Sequence, residues 1–150
     1  MDAGISCRET EKRMLGLGLS IQKVKAIFVS HEHADHINGV PVLAKKYNLP
    51  VYITAVTLHQ GGLQLNSNQA VPFTASQPVQ IGTLSIKAFP KLHDAAEPHS
   101  FVVSYKEINI GADITSEYTC NDDRQQEEDS FCNNVEDYRK QHPLFVRLTM

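Results

Sequence analysis

Three histidines and one aspartate occur within a six-residue stretch of this chain: His31, His33, Asp35 and His36. Imidazole nitrogens and carboxylate oxygens are the ligands that zinc and similar divalent ions accept in proteins. Surface histidines in a polar turn are the alternative interpretation, but it suits a single histidine better than a cluster this dense. The stretch therefore predicts a metal site.

The residues on either side of this stretch predict the elements that position it. Residues 26–29 form an apolar run rich in β-branched and aromatic side chains, which predicts a buried strand. A loop after that strand frees each ligand from strand alternation, and Asn38 and Gly39 punctuate the loop. A helix is predicted over residues 39–48 because apolar residues recur there at helical spacing, namely Val40, Leu43, Ala44 and Tyr47.

Local patterns predict further elements before and after the loop that contains residues 31–36, called the metal loop below. Ser6 and Glu9 have the spacing of a capping box, which predicts a helix that runs to Leu15. Residues 51–53 predict a second strand, and the helix between the two strands favours parallel pairing. Residues 54–63 predict a short helix.

Two hairpins are predicted in the second half of the chain. The first covers residues 79–89 around a turn at Gly82, and the second covers residues 101–110 around a turn at Lys106. The C-terminal segment has three predictions: a disorder-like composition over residues 117–130, a helix over residues 135–142 and a strand over residues 144–148.

Composition limits the class of protein. With 150 residues, 41% hydrophobic and 21% charged, the chain has the length and make-up of one ordinary globular domain. A net charge of -3 without a basic run neither requires nor excludes nucleic acid as a substrate. The chain has no apolar run of membrane-spanning length and no signal-peptide pattern. Three cysteines without CxxC spacing, Cys7, Cys120 and Cys132, indicate reduced thiols and a cytoplasmic location.

Residues 31–36, HEHADH, match the HxHxDH signature of the metallo-β-lactamase superfamily. Outside this motif, residues 2–4 (DAG), the segment that leads into Ala26 and residues 93–98 (HDAAEP) resemble the YycJ-type branch of that superfamily. The resemblance covers approximately residues 1–114 and fades after Thr115.

The resemblance implies an α/β fold, the four-layer αβ/βα sandwich of the metallo-β-lactamases. Because that sandwich normally needs more than 150 residues, the chain is expected to hold mainly its N-terminal half, truncated at both ends. The expected division is a partial metal-binding domain over residues 1–115 and a divergent acidic segment over residues 116–150.

The resemblance implies that His31, His33 and His93 bind one metal ion. A histidine in a surface loop is the alternative interpretation of His93, and its place after a predicted strand favours the ligand role. Zinc is the expected metal, as one or two ions, with manganese as the alternative. Asp94 and Glu97 have two open interpretations, as hydrogen-bond acceptors that orient a histidine or as solvated loop residues.

A second ion is implied next to the first. The first ligands of this second ion would be Asp35 and His36, and Asp113 would bind both ions. Asp35 is also the predicted catalytic residue. Asp113 could instead cap a turn. Members of the superfamily complete the second site with a later histidine in a Gly-His motif, and the setting of His142 does not match that motif.

Roles are also predicted for three residues outside the motif, Asp2, His59 and His99. Asp2 either supports the metal ligands from behind or is a frayed terminal residue, and the sequence leaves both open. His59 is interpreted as structural because no second ligand accompanies it, and His99 because no motif includes it.

The function implied by the resemblance is metal-dependent hydrolysis, in which a metal-bound hydroxide attacks the substrate. The YycJ-type likeness favours a phosphodiester, and thus a nuclease-like activity on nucleic acid. Two alternatives stay open: a metal-binding fragment without catalytic activity, and a hydrolase of thioesters or lactones that uses the same ligands. An incomplete sandwich would leave apolar sheet surface uncovered, so self-association is expected, without a membrane partner.

Overall fold

A computed structural model of the chain describes residues 1–75, 77–113 and 145–149. The chain divides into two compact units. The first consists of Met1–Thr74 and Ala95–Pro98, and the second of Ala75–Asp94 and His99–Met150. The predicted boundary at residue 115 stays a prediction, and the predictions for residues 117–130 and 135–142, with His142, lie outside the described residues.

The first unit contains a parallel three-stranded sheet with four helices. The strands, in the order β1-β2-β3, are β1 (Ile27–Phe28), β2 (Val51–Tyr52) and β3 (Ala70–Val71). The helices are α1 (Cys7–Gly16), α2 (Ala34–Ile37), α3 (Val40–Tyr47) and α4 (Ala55–Gln60), with a short 3-10 helix at Ile21–Lys23. The predicted parallel strand-helix-strand arrangement is therefore confirmed. None of the helices in the described ranges has the length and apolar character that crossing a bilayer would require.

Local capping explains where the two longest helices begin and end. Ser6 Oγ accepts a hydrogen bond from the Glu9 N–H at 3.2 Å and so starts α1, as predicted. The Glu9 carboxylate does not complete the capping box, because it pairs with Arg13 one turn later at 2.9 Å. Gly18, with φ of +69°, and Asn48, with φ of +49°, turn the chain after α1 and α3 in the left-handed conformation that ends helices.

The core of the first unit lies between α3 and the parallel sheet. Val40, Leu43 and Ala44, the inner residues of α3, are buried in one cluster with the sheet residues Ile27 and Val51. Burying such side chains contributes roughly 1.5–3 kcal/mol each. This packing fixes the strand that precedes the histidines and the helix that follows them.

One carboxylate oxygen of Glu11 in α1 accepts three hydrogen bonds, two from α3 and one from α1 itself. This oxygen, Oε1, accepts from Lys46 Nζ at 2.7 Å, from the Tyr47 hydroxyl at 2.9 Å and from the Cys7 thiol at 3.0 Å. The bond from Lys46, followed by those from Cys7 and Tyr47, lowers the pKa of Glu11 to about 2. Burial, with the hydrogen bond to Glu11, raises the pKa of the free Cys7 thiol and so favours its protonated form.

Replacing Glu11 with glutamine is expected to lower the free energy of unfolding at pH 7. Because the folded-state pKa of Glu11 is depressed, its contribution is present above the unfolded value of 4.5 and is lost as pH falls toward 2. The difference between Glu11→Gln and the wild type should shrink across that window, which urea unfolding at several pH values measures. Glu9→Gln on the same helix is the control, and an equal pH-dependent effect there would contradict the assignment.

The second unit contains a five-stranded sheet in the order β4-β5-β6-β7-β8. Its strands are β4 (Val79–Ile81), β5 (Leu84–Pro90), β6 (His99–Tyr105), β7 (Ile108–Asp113) and β8 (Phe145–Thr149). Neighbours pair antiparallel from β4 to β7, which confirms both predicted hairpins, whereas β8 pairs with β7 in parallel. The predicted C-terminal strand is thus present as β8.

Candidate metal centre

Three histidine rings gather where β1 gives way to α2. His31 follows the strand and is completely buried, with 0% of its surface exposed. His33 occupies the N-cap position of α2, and its ring meets the His31 ring edge-on at a centroid distance of 4.5 Å. His36, in α2, places its ring centroid 4.1 Å from that of His31. The predicted histidine cluster of the motif is therefore present in the first unit.

Asp2 lies behind this cluster and accepts three hydrogen bonds. Its Oδ1 accepts from the Ser30 N–H at 2.8 Å, and its Oδ2 accepts from the Ser30 hydroxyl at 2.7 Å. The same Oδ2 lies 3.0 Å from His36 Nδ1. Only 9% of the Asp2 side chain is exposed, and the residue adopts a left-handed φ of +38°. Of the two interpretations of Asp2, the structure supports the one in which it orients residues of the motif from behind, since it bonds to Ser30 and His36.

The direction of these hydrogen bonds determines which nitrogen of His31 carries the proton. The Ser30 hydroxyl has one hydrogen, which it donates to the Asp2 carboxylate. Its oxygen must therefore accept from His31 Nδ1, which lies 3.0 Å away. In the neutral imidazole, the proton is then on Nδ1 and the lone pair is on Nε2. Ser30 was not predicted to have this role because no local sequence pattern distinguishes a serine that precedes the motif.

His36 is oriented by the same carboxylate. An ionised carboxylate only accepts hydrogen bonds, so His36 donates from Nδ1. Its other nitrogen, Nε2, takes no part in this bond. The hydrogen bond with Asp2 raises the pKa of His36, an effect that burial opposes and the charges of Asp2 and Asp35 reinforce. Asp35 Oδ2 lies 3.6 Å from His36 Nε2, and 82% of the Asp35 side chain is exposed. Asp35 and His36 are thus neighbours, with the carboxylate at the surface.

Two glycines allow the N-terminal segment to approach the metal loop closely. A Cβ on Gly4 would lie 1.4 Å from the carbonyl oxygen of Asp35, and one on Gly39 would lie 2.0 Å from that of Ile5. Backbone hydrogen bonds hold the same contact, from Ala3 N–H to His36 O at 2.9 Å and from Gly39 N–H to Ala3 O at 2.7 Å. These contacts keep Asp2 in place behind the histidines.

Gly4→Ala is expected to lower the free energy of unfolding by about 3 kcal/mol, because the new methyl group overlaps a backbone carbonyl that cannot rotate away. Gly16→Ala is the matched control, since a Cβ there meets nothing within 4 Å and should change the stability by less than about 1 kcal/mol. Chemical denaturation of both variants measures the difference. Similar stabilities for the two would show that the close approach is not maintained in solution.

The remaining predicted site residues lie in or after strands of the second unit. His93 follows β5, and its Nδ1 lies 3.1 Å from Asp94 Oδ1. Asp113 is the last residue of β7, where its backbone is in register with Thr149 of β8. Of the two histidines interpreted as structural, His59 is exposed on α4 of the first unit and His99 is buried at the start of β6.

A cleft of about 520 Å³ opens elsewhere in the first unit, along α3. Its lining combines apolar, amide and lysine side chains, namely Pro41, Val42, Lys45, Lys46, Gln64, Asn66 and Gln69. None of these lining residues is a histidine, cysteine, aspartate or glutamate, and none belongs to the histidine cluster.

Comparison with known proteins adds a family and a fold. The sequence model of the family described as "Beta-lactamase superfamily domain" matches residues 1–117. Exodeoxyribonuclease YycJ of Bacillus anthracis is 39% identical over 102 residues, which cover 65% of this chain and 38% of that protein. Ribonuclease J 1 of Streptococcus pyogenes serotype M3 is 28% identical over 119 residues, which cover 69% of this chain and 21% of that protein.

Among solved structures, Rm3 metallo-beta-lactamase superposes with a TM-score of 0.70 at 15% identity, over 99% of this chain and 65% of that chain. At this identity the match shows the fold alone. The matched region spans 38% of the length of the Bacillus anthracis relative. The activities of these relatives thus belong to proteins of which this chain matches only a part.

Proposed function

We propose that this chain, which belongs to the metallo-β-lactamase superfamily close to the YycJ branch, is a metal-dependent hydrolase of phosphodiesters. The resemblance inferred from the HxHxDH motif is confirmed by the family match, and the α/β sandwich fold by the structural match. The observation that carries the proposal is the histidine cluster around the buried His31, in which Ser30 and Asp2 form hydrogen bonds with the imidazoles of His31 and His36.

The residues of the cluster fit a metal ion by the chemistry of their donors. Histidines that bind metals commonly donate their second N–H to a carboxylate or another oxygen, which fixes the ring and leaves the other nitrogen for the metal. His36 does this through Asp2, and His31 does it through Ser30. We propose that His31, His33 and His93 each offer one ring nitrogen to a first ion.

We propose further that Asp35, His36 and Asp113 serve a second ion, with Asp35 also in the catalytic role. This is supported by the motif and by the 3.6 Å between Asp35 Oδ2 and His36 Nε2. Imidazole and carboxylate ligands suit zinc, and manganese is the alternative. A bound divalent ion acidifies water and stabilises negative charge on a phosphoryl oxygen.

The chain's own residues have separate tasks in this proposal. Asp2 and Ser30 hold the rings and keep the lone pair of His31 on Nε2. The burial of His31 keeps bulk water from that side of the site. Two relatives, an exodeoxyribonuclease and a ribonuclease, support a nucleic-acid strand as the substrate.

The experiment that tests this function combines metal counting with a substrate panel. The purified chain, first stripped with chelator, is loaded with zinc or manganese, and bound metal is quantified by mass spectrometry. Labelled DNA and RNA, a chromogenic phosphodiester, a thioester and a lactone are then supplied. We expect one or two ions per chain and metal-dependent turnover of the phosphodiesters.

Each alternative outcome has a distinct meaning. Metal binding without turnover of any substrate supports a catalytically silent metal-binding chain. Turnover of the thioester or lactone alone supports the second class of hydrolase. Failure to bind either metal contradicts the proposal as a whole.

Two further expectations from the sequence remain proposals. Self-association is supported by the apolar side chains of Leu15, Leu17 and Leu19, which are 78%, 75% and 55% exposed. Analytical ultracentrifugation tests it, and a monomer across the micromolar range would contradict it. A cytoplasmic location is supported by the cysteine usage, including the free thiol of Cys7, and fractionation of cells that produce the chain tests it.

A further inference from the structure

Glu32 lies inside the metal loop, but none of the roles described above uses it. Its Oε1 accepts a hydrogen bond from the backbone N–H of Ala96 at an N–O distance of 2.6 Å. Its Oε2 is buried and has no hydrogen-bond partner among the described residues. A carboxylate held this way between two histidines of the motif requires an explanation beyond solvation.

Glu32 lies near two other segments of the first unit. A Cβ built on Gly61, at the C-terminal end of α4, would be in ordinary van der Waals contact with the Cβ of Glu32, at 3.5 Å. Ala96, which is itself exposed, belongs to Ala95–Pro98, the part of the connection between β5 and β6 that groups with the first unit. The bond from Ala96 to Glu32 joins two segments that are 64 residues apart in sequence.

His93 lies close to this bond in the sequence, although it belongs to the second unit. Ala96 follows His93 by three residues, and a hydrogen bond to an ionised carboxylate is about twice as strong as a neutral one. Since a connection between two strands is otherwise free to shift, a charge-assisted anchor close to His93 restricts where that histidine is held.

We infer that Glu32 is a positioning residue: its carboxylate anchors Ala95–Pro98 to the metal loop within the first unit, and through the chain this anchor restricts His93, which lies two residues before Ala95. The inference rests on the proposed function in one respect only, the ligand role of His93. The anchor itself is independent of any metal and is tested without one.

The metal-free test measures hydrogen exchange of the Ala96 amide by NMR in the wild type, Glu32→Gln and Glu32→Ala. Glu107→Gln, which removes an exposed charge in the turn between β6 and β7, is the matched control. We expect the Ala96 amide to exchange about tenfold faster in Glu32→Ala and at an intermediate rate in Glu32→Gln. Exchange of the wild-type amide at the rate of an unstructured chain, or no response to either variant, would overturn the inference.

The metal test uses cobalt as a spectroscopic substitute for zinc. Glu32→Ala should weaken cobalt binding about tenfold, whereas Glu107→Gln should leave it within about twofold of the wild type. If Glu32 acts through His93, Glu32→Ala should have no further effect in a His93→Ala background. An equal loss in both backgrounds would overturn the positioning role, even with a confirmed anchor.

The two tests separate the inference from the proposed function. If the wild-type chain binds no cobalt, the proposed function fails and the positioning role is overturned with it, while the exchange rates still decide whether the anchor exists. Urea unfolding of the metal-free variants checks that Glu32→Ala is folded. If it is not, the Glu32→Gln variant decides, since it keeps the shape of the side chain and removes only its charge.

Discussion

His33→Ala is expected to abolish metal-dependent hydrolysis, with a loss of at least about a thousandfold, because removing a ligand removes the means of acidifying water. His33 is a better target than His31. It is only partly buried, so its truncation leaves the core intact, whereas His31 is fully buried and its loss would open a cavity. The affinity for zinc should fall by about a hundredfold or more, which competition with a chromogenic chelator measures.

His59→Ala is the control for this prediction. His59 is also a histidine of the first unit, but it is exposed on α4 and lies outside the motif. Its replacement should leave the zinc stoichiometry and the rate unchanged. Retention of metal and activity by His33→Ala would remove the histidine cluster as the basis of the function.

Replacing Asp2 is expected to have the second largest effect, on stability as well as on metal affinity. Asp2→Ala leaves three donors without their acceptor, two of the buried Ser30 and one of the half-buried His36. Each lost partner costs roughly 1–3 kcal/mol, so the free energy of unfolding should fall by several kcal/mol. Zinc affinity should also fall by about ten- to a hundredfold, as is usual when an oxygen that orients a ligand is removed.

Asp2→Asn separates these two effects. If the amide oxygen keeps the Ser30 N–H, its NH₂ group faces the Ser30 hydroxyl and His36 Nδ1, where a hydrogen-bond acceptor is needed. Ser30 would then accept from Asn and donate to His31 Nδ1, which moves the proton of His31 to Nε2. The lone pair offered to the metal would be lost, although the shape of the side chain is retained.

We therefore expect Asp2→Asn to weaken zinc binding about as much as Asp2→Ala while losing less stability. Nitrogen chemical shifts of His31 in the metal-free protein report the tautomer directly, and urea unfolding reports the stability. A wild-type tautomer and a wild-type zinc affinity in Asp2→Asn would show that the hydrogen-bond chain through Ser30 does not determine the state of His31.

Local sequence patterns were sufficient for most of the secondary structure. A strand before the histidines, the helix α3 after them and both hairpins follow from apolar spacing and from turn residues such as Gly82 and Lys106. These are interactions between residues close together in the chain, so they can be inferred from neighbours alone. The superfamily could be inferred for a similar reason, since its signature occupies six consecutive residues, His31 to His36.

Long-range contacts were not accessible in this way. Asp2 reaches Ser30 and His36 across 28 and 34 residues, and the sequence alone left its role open. Ser30 and Glu32 were not identified as functional residues at all, because their roles depend on partners that only folding brings near. The same holds for the tie from Glu11 to α3.

The sequence by itself determined the ligand types, their order in the motif and the strand and helix that flank them, because each depends on residue identity and short spacing. The tertiary structure decided which nitrogen of His31 bears the lone pair and which backbones must be glycine, as at Gly4. These depend on hydrogen-bond direction and on atomic overlap between distant segments. Neither is set until the N-terminal segment packs against the metal loop.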